Sequence, residues 1–140
     1  KSTYCEHLCN AFSFQSIATD AEWLRWMEEL QKANVVQRLV AEYGKVAVEW
    51  GFDPTVFLGT IRELGSTGAR LIWFEVEGAR ELALPYYLKR KGSKPDANLW
   101  HTQVERIKAA NLPSKEFQVV YALDINGPKP AEATDRELFP

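Results

Sequence analysis

The residue types able to do chemistry are few in this chain. Cys5, His7 and Cys9 stand close together, and His101 is the only other histidine. Thiolate and imidazole are the usual zinc ligands, but a short knuckle places two residues between its cysteines and here three intervene. That spacing points to two buried or idle thiols. A nucleophile needs a base beside Ser or Cys, oriented by a third group, and neither histidine sits in a local signature of that kind. Gly65-Ser66-Thr67-Gly68 lacks the form of a phosphate-binding loop and reads as a turn. Glu75 and Glu77, two apart on one strand face, could flank a substrate as acid and base, a pairing equally ordinary on a wetted strand. No catalytic residue, metal or cofactor is assigned.

Binding chemistry is better represented. Trp73 and Tyr87 could stack on the bases of a single strand, an interaction worth about 1–3 kcal/mol per base. Lys89-Arg90-Lys91-Gly92-Ser93-Lys94 places four positive charges in six residues just after Tyr87. Four phosphate contacts on single-stranded nucleic acid would give a salt slope of about −3. A basic loop of this kind is also commonly just solvated. The candidate binding residues are therefore Trp73, Tyr87, Lys89, Arg90, Lys91 and Lys94.

Composition bounds what these residues can serve. The 140 residues are 46% apolar and 26% charged, ordinary values for a globular domain. With net charge −2 and a pI near 5.8, no global positive field exists to hold a nucleic-acid backbone. The longest apolar runs, such as Leu71-Ile72-Trp73-Phe74, fall far short of the ~20 residues that cross a bilayer. Two cysteines are too few for a disulfide framework, and with no apolar leader at its start the chain reads as cytoplasmic.

The elements that must position these residues follow from periodicity. Residues 1–18 show no sustained period and read as an irregular arm. Thr19-Asp20-Ala21-Glu22 matches a capping box, after which Trp23, Trp26, Met27 and Leu30, then Val36, Leu39, Val40 and Tyr43, give one long helix over 19–43 that stops at Gly44. The period then changes to two: Val46, Val48, Trp50 and Phe52 alternate as a strand. Asp53-Pro54 opens a helix carrying Phe57, Ile61 and Leu64. Ile72, Phe74 and Val76 form a second strand, and a turn over 77–80 leads to a third bearing Leu82, Leu84, Tyr86 and Leu88. Asp96 caps a helix with Trp100, Val104 and Ile107, and Phe117, Val119, Tyr121, Leu123 and Ile125 form a last strand. Residues 126–140, with three prolines, read as a surface tail.

The expected architecture is a single α+β domain over 1–125: a long N-terminal helix followed over 45–125 by a ferredoxin-like βαββαβ antiparallel sheet, a resemblance of pattern rather than family. Pro85 resists it, because a central strand there would lack a ladder donor. Two alternatives are a helix plus antiparallel meander, if 55–64 is a strand, and a winged helix-turn-helix, if 45–50 is helical. In the favoured fold, alternation places Phe74, Val119 and Leu123 on a helix-covered face, and Trp73, Tyr87, Val120 and Ala122 on an open face rimmed by Glu49 and Glu75. That face is too apolar for bulk water. The long helix, a second copy of the chain or a ligand must cover it. The reading is a non-enzymatic binding or regulatory domain, with a protein partner or a homodimer ahead of nucleic acid and no membrane. The alternative is a small-molecule-binding protein or enzyme with a cavity between the sheets of a homodimer, and a third is an accessory subunit docking through Glu137-Leu138-Phe139.

Overall fold

The computed structural model describes residues 1–19, 22–50, 53–89 and 94–140. It shows a mixed α+β fold with an N-terminal helix and two small sheets, divided into two compact units, Lys1–Leu71 and Ile72–Pro140.

The first unit departs from expectation at once. Residues 1–18 are not an irregular arm: Ser2–Phe12 is a helix, α1, and Gln15–Ala18 a strand, β1. The apolar stripe of α1 is short, Tyr4, Cys5 and Leu8, too brief to register as a period, and Ser13 closes it in the left-handed conformation at φ 59°. The expected helix over 19–43 is two helices, α2 (Trp23–Leu30) and α3 (Val35–Tyr43). Asn34 divides them by adopting φ 56°, a conformation its short polar side chain tolerates. The apolar stripe persists across the break because both helices face one cluster. Met27, Leu30 and Val35 are its buried centre, with Trp26, Leu39, Val48 and Leu64 packed on it.

The change of period at Gly44 is real, and Val46–Glu49 is a strand, β2, so the winged-helix alternative fails at its first requirement. β2 runs parallel to β1, with Gln15 opposite Val46 and Ala18 opposite Glu49. A parallel pair needs a crossover, and α2 and α3 supply it. Thr19 does not cap α2: its hydroxyl donates to the Glu49 carbonyl at 2.9 Å, since position 19 continues β1 alongside the end of β2. Asp20 and Ala21 of the expected capping box, and Phe52 of the expected strand, lie outside the described residues. Asp53 caps a turn, accepting from the Thr55 amide at 2.9 Å and its hydroxyl at 2.7 Å. The helix it was expected to open, α4, starts later, at Leu58–Ser66. Its helical state removes the meander alternative.

In the second unit Ile72–Val76 is β3 and Gln118–Asp124 is β4, as their alternation predicts. Between them the expected third strand is absent. Arg80–Ala83 is a 3-10 turn and Leu84–Leu88 a short helix, α5. Pro85 explains this: it has no amide to give a ladder, but in the first turn of a helix none is needed. Helix α6 (Ala97–Ala109) follows, capped by Asp96, which accepts from the Asn98 amide at 2.8 Å. With a helical crossover in place of a hairpin, β4 joins β3 in parallel, Trp73 opposite Val119 and Phe74 opposite Val120. The antiparallel ferredoxin-like sheet is thus replaced by a three-stranded sheet in the order β3-β4-β5. The supposed tail supplies β5 (Gly127–Pro128) and a helix, α7 (Ala131–Leu138), which packs on β4. Leu138 is 1% exposed, so it is core and not a docking side chain.

Candidate functional site

The parallel register of β3 and β4 reassigns the faces of the second sheet. Val120, expected on the open side, shares the side of Phe74 and is fully buried. Trp73 and Glu75 share the other side with Val119 and Tyr121. Trp73 is not a free platform there: its indole donates to Glu75 Oε2 at 3.1 Å, and its ring meets Phe117 edge-on with centroids 5.5 Å apart.

Glu75 is the centre of this side. Arg80 Nε lies 3.1 and 3.2 Å from its two oxygens and Arg80 Nη2 lies 2.7 Å from Oε2. The Val76 amide donates to Oε1 at 3.0 Å. Burial pushes the carboxyl pKa up, but the Arg80 guanidinium, the Val76 amide and the Trp73 indole together outweigh it and hold the group below the usual glutamate range. Arg80 Nη2 also donates to the Leu112 carbonyl at 3.2 Å, tying β3 to the segment ahead of β4. Glu77 lies beyond the end of β3 and pairs with Lys129 at 2.5 Å. Each carboxylate of the supposed acid and base pair is therefore held by its own cation, Glu75 by Arg80 and Glu77 by Lys129.

Tyr87 lies on α5, not on a strand, and is half-buried; Lys89 follows at the helix end and Lys94 is exposed. Arg90 and Lys91 lie outside the described residues. What the fold brings together at this point is a different set. Leu82, Pro85, Tyr86 and Lys89 face Asp124 and Ile125, at the turn between β4 and β5, across a groove of about 420 Å³. Ile125 is 82% exposed, and Tyr86 and Leu88 are also exposed. Gly127 takes φ +108°, and a Cβ there would come within 3.0 Å of the Tyr86 hydroxyl, so glycine is what lets α5 lie so close to the turn. Sequence reasoning missed this groove because it made α5 a strand. The Asn126-Gly127 turn signal was present but fell in the supposed tail.

In the first unit, Glu49 is not a rim residue of an open face. It is 7% exposed and accepts from Lys1 Nζ at 2.8 Å and Ser2 Oγ at 2.5 Å. Burial raises its pKa, but these two bonds and the Lys1 charge outweigh that and leave it below the usual range. Burial and the nearby Glu49 carboxylate push the Cys5 thiol up, away from the thiolate form that attacks or binds metal. His7 stacks on Tyr4 at 5.6 Å, and His101 meets Trp100 edge-on at 5.0 Å. Among the described residues no group of three or more His, Cys, Asp and Glu is arranged to hold a metal ion, and no helix is long and apolar enough to cross a membrane. Comparison with protein-family models, with curated proteins and with solved structures finds no match to this chain.

Proposed function

We propose that the chain is a non-enzymatic binding domain that meets a protein partner on the unit 72–140, through the open sheet side bearing Trp73 and the surface around α5, with Tyr87, Lys89 and Lys94 at its border. The observation that carries this reading is the groove beside α5, whose apolar floor of Leu82, Pro85 and Tyr86 ends at the exposed Ile125. Exposed apolar surface with a polar rim marks contact sites in soluble proteins. The rim favours protein over nucleic acid. Glu81 and Asp124 line the same groove as Lys89, and residues 72–140 carry ten basic and ten acidic side chains, so phosphates gain no net attraction. Trp73, already bonded to Glu75 and packed on Phe117, has less ring to offer a base.

A photo-crosslinking residue at Ile125 tests this. One at Glu105, on the exposed face of α6, is the control. The expected result is a discrete adduct from position 125 that position 105 does not give and that Tyr86→Ala abolishes. Adducts identical from both positions would end the proposal. Quenching of Trp fluorescence by single-stranded DNA or RNA at low salt would transfer the surface to nucleic acid. A second reading, a small-molecule site closed by a second copy of the chain, draws on the groove volume, which lies in the range of ligand sites. Sedimentation showing a monomer at high concentration would remove it.

A further inference from the structure

The chain has five asparagines, followed in turn by Ala11, Val35, Leu99, Leu112 and Gly127. Only Asn126 precedes a residue without a Cβ. An asparagine carboxamide is open to attack by the backbone nitrogen of the next residue, and glycine offers the least hindrance to that ring closure. The fold adds to this. Asn126 is exposed, so water reaches it, and it occupies the two-residue tip of the β4–β5 turn with Ile125. The ladder behind the tip pairs Leu123 with Pro128 and Asp124 with Gly127; Pro128 has no amide to give it, and the next backbone bond runs from the Lys129 amide to the Ala122 carbonyl at 2.9 Å. The other four stand in stiffer settings: Asn10 and Asn98 within α1 and α6, and Asn34 and Asn111 before branched side chains.

We propose that Asn126 is a site of spontaneous modification that alters the groove beside α5. The Gly127 nitrogen forms a bond to Asn126 Cγ, the Cγ–Nδ2 bond breaks, and the side-chain nitrogen leaves as ammonia, taking up the Gly127 amide proton. Water then opens the resulting cyclic imide. Cleavage of the new N–Cγ bond gives aspartate, and cleavage of the original peptide bond gives isoaspartate. The sum is amide plus water to acid plus ammonia, with no change of oxidation state. Either product sets a second carboxylate beside Asp124. The isoaspartyl form also lengthens the backbone between Ile125 and Gly127, at the point where Gly127 lies against the Tyr86 hydroxyl and the spacing of Ile125 from Tyr86 defines the groove. The modification is independent of what the groove binds.

The test is peptide mapping by mass spectrometry of the folded full chain held at mildly alkaline pH, with enzymatic methylation to mark isoaspartate and isoelectric focusing to follow charge. The expected result is progressive loss of the amide at Asn126, amides retained at the other four asparagines, and a fall in isoelectric point. Asn126→Gln should abolish both the amide loss and the fall in isoelectric point. A urea-unfolded sample is the control. If the unfolded chain converts Asn126 while the folded chain keeps it over the same period, the turn protects the site and the proposal fails; it fails equally if neither converts.

Discussion

Arg80 grips the Glu75 carboxylate through two nitrogens, Nη2 at 2.7 Å and Nε at 3.1 and 3.2 Å, and turns the same Nη2 toward the Leu112 carbonyl at 3.2 Å. One side chain thus ties the edge strand β3 to the segment that leads into β4. Removing one member of a fully buried pair costs about 3–5 kcal/mol, because the survivor is left uncompensated. Here both side chains keep some exposure, so Arg80→Ala should cost roughly 2 kcal/mol in urea unfolding. Arg80→Lys should recover only part of this, since an ammonium cannot reproduce the fork. A variant within 0.5 kcal/mol of the parent, the usual range of a neutral surface change, would show that the clamp contributes nothing.

Glu49 makes the first unit acid-sensitive. Its pKa in the folded chain lies below that of an unfolded glutamate, so between the two values the unfolded state binds more protons and stability rises with pH. The contribution is complete above the ordinary glutamate pKa of about 4.3 and is lost as pH falls through the lower, folded value. Glu75 acts in the same direction in the second unit. Urea midpoints measured from neutral pH downward should fall in that acid window, and Glu49→Gln should flatten the fall. An unchanged slope would contradict the bonds from Lys1 and Ser2.

Gly127 and Tyr86 form a steric couple. Gly127→Ala meets two costs, a backbone at φ +108° and a Cβ within 3.0 Å of the Tyr86 hydroxyl. Together they should destabilise by about 1–3 kcal/mol. In a Tyr86→Phe background only the backbone cost remains, so the same substitution should cost less there. Equal costs in both backgrounds would show that α5 does not lie against the turn in solution.

Leu138, 1% exposed on α7, tests whether the last residues belong to the core. Leu138→Ala should lower stability by about 2–5 kcal/mol, as for other buried leucines, and truncation before Ala131 should cost more. Unchanged denaturation after that truncation would return residues 131–140 to the status of a tail.

Local signals in the sequence determined several elements. Strict alternation placed β2, β3 and β4, because successive side chains of a strand fall on opposite faces. Asp96 set the start of α6, and Gly44, at φ 75°, the end of α3.

Tertiary structure decided the pairing and the direction of the strands. Whether β3 meets its partner through a hairpin or a crossover depended on Leu82, Leu84, Tyr86 and Leu88, which fit a strand by alternation and a short helix by the position of Pro85. Once that segment coiled, β4 had to lie parallel to β3. Val120 then passed to the buried side, and Trp73 was drawn to Glu75 and Phe117 instead of standing open. The groove arose from the same choice. It joins Tyr86 to Ile125 across a long stretch of chain, and no local period records which distant residues a side chain will meet.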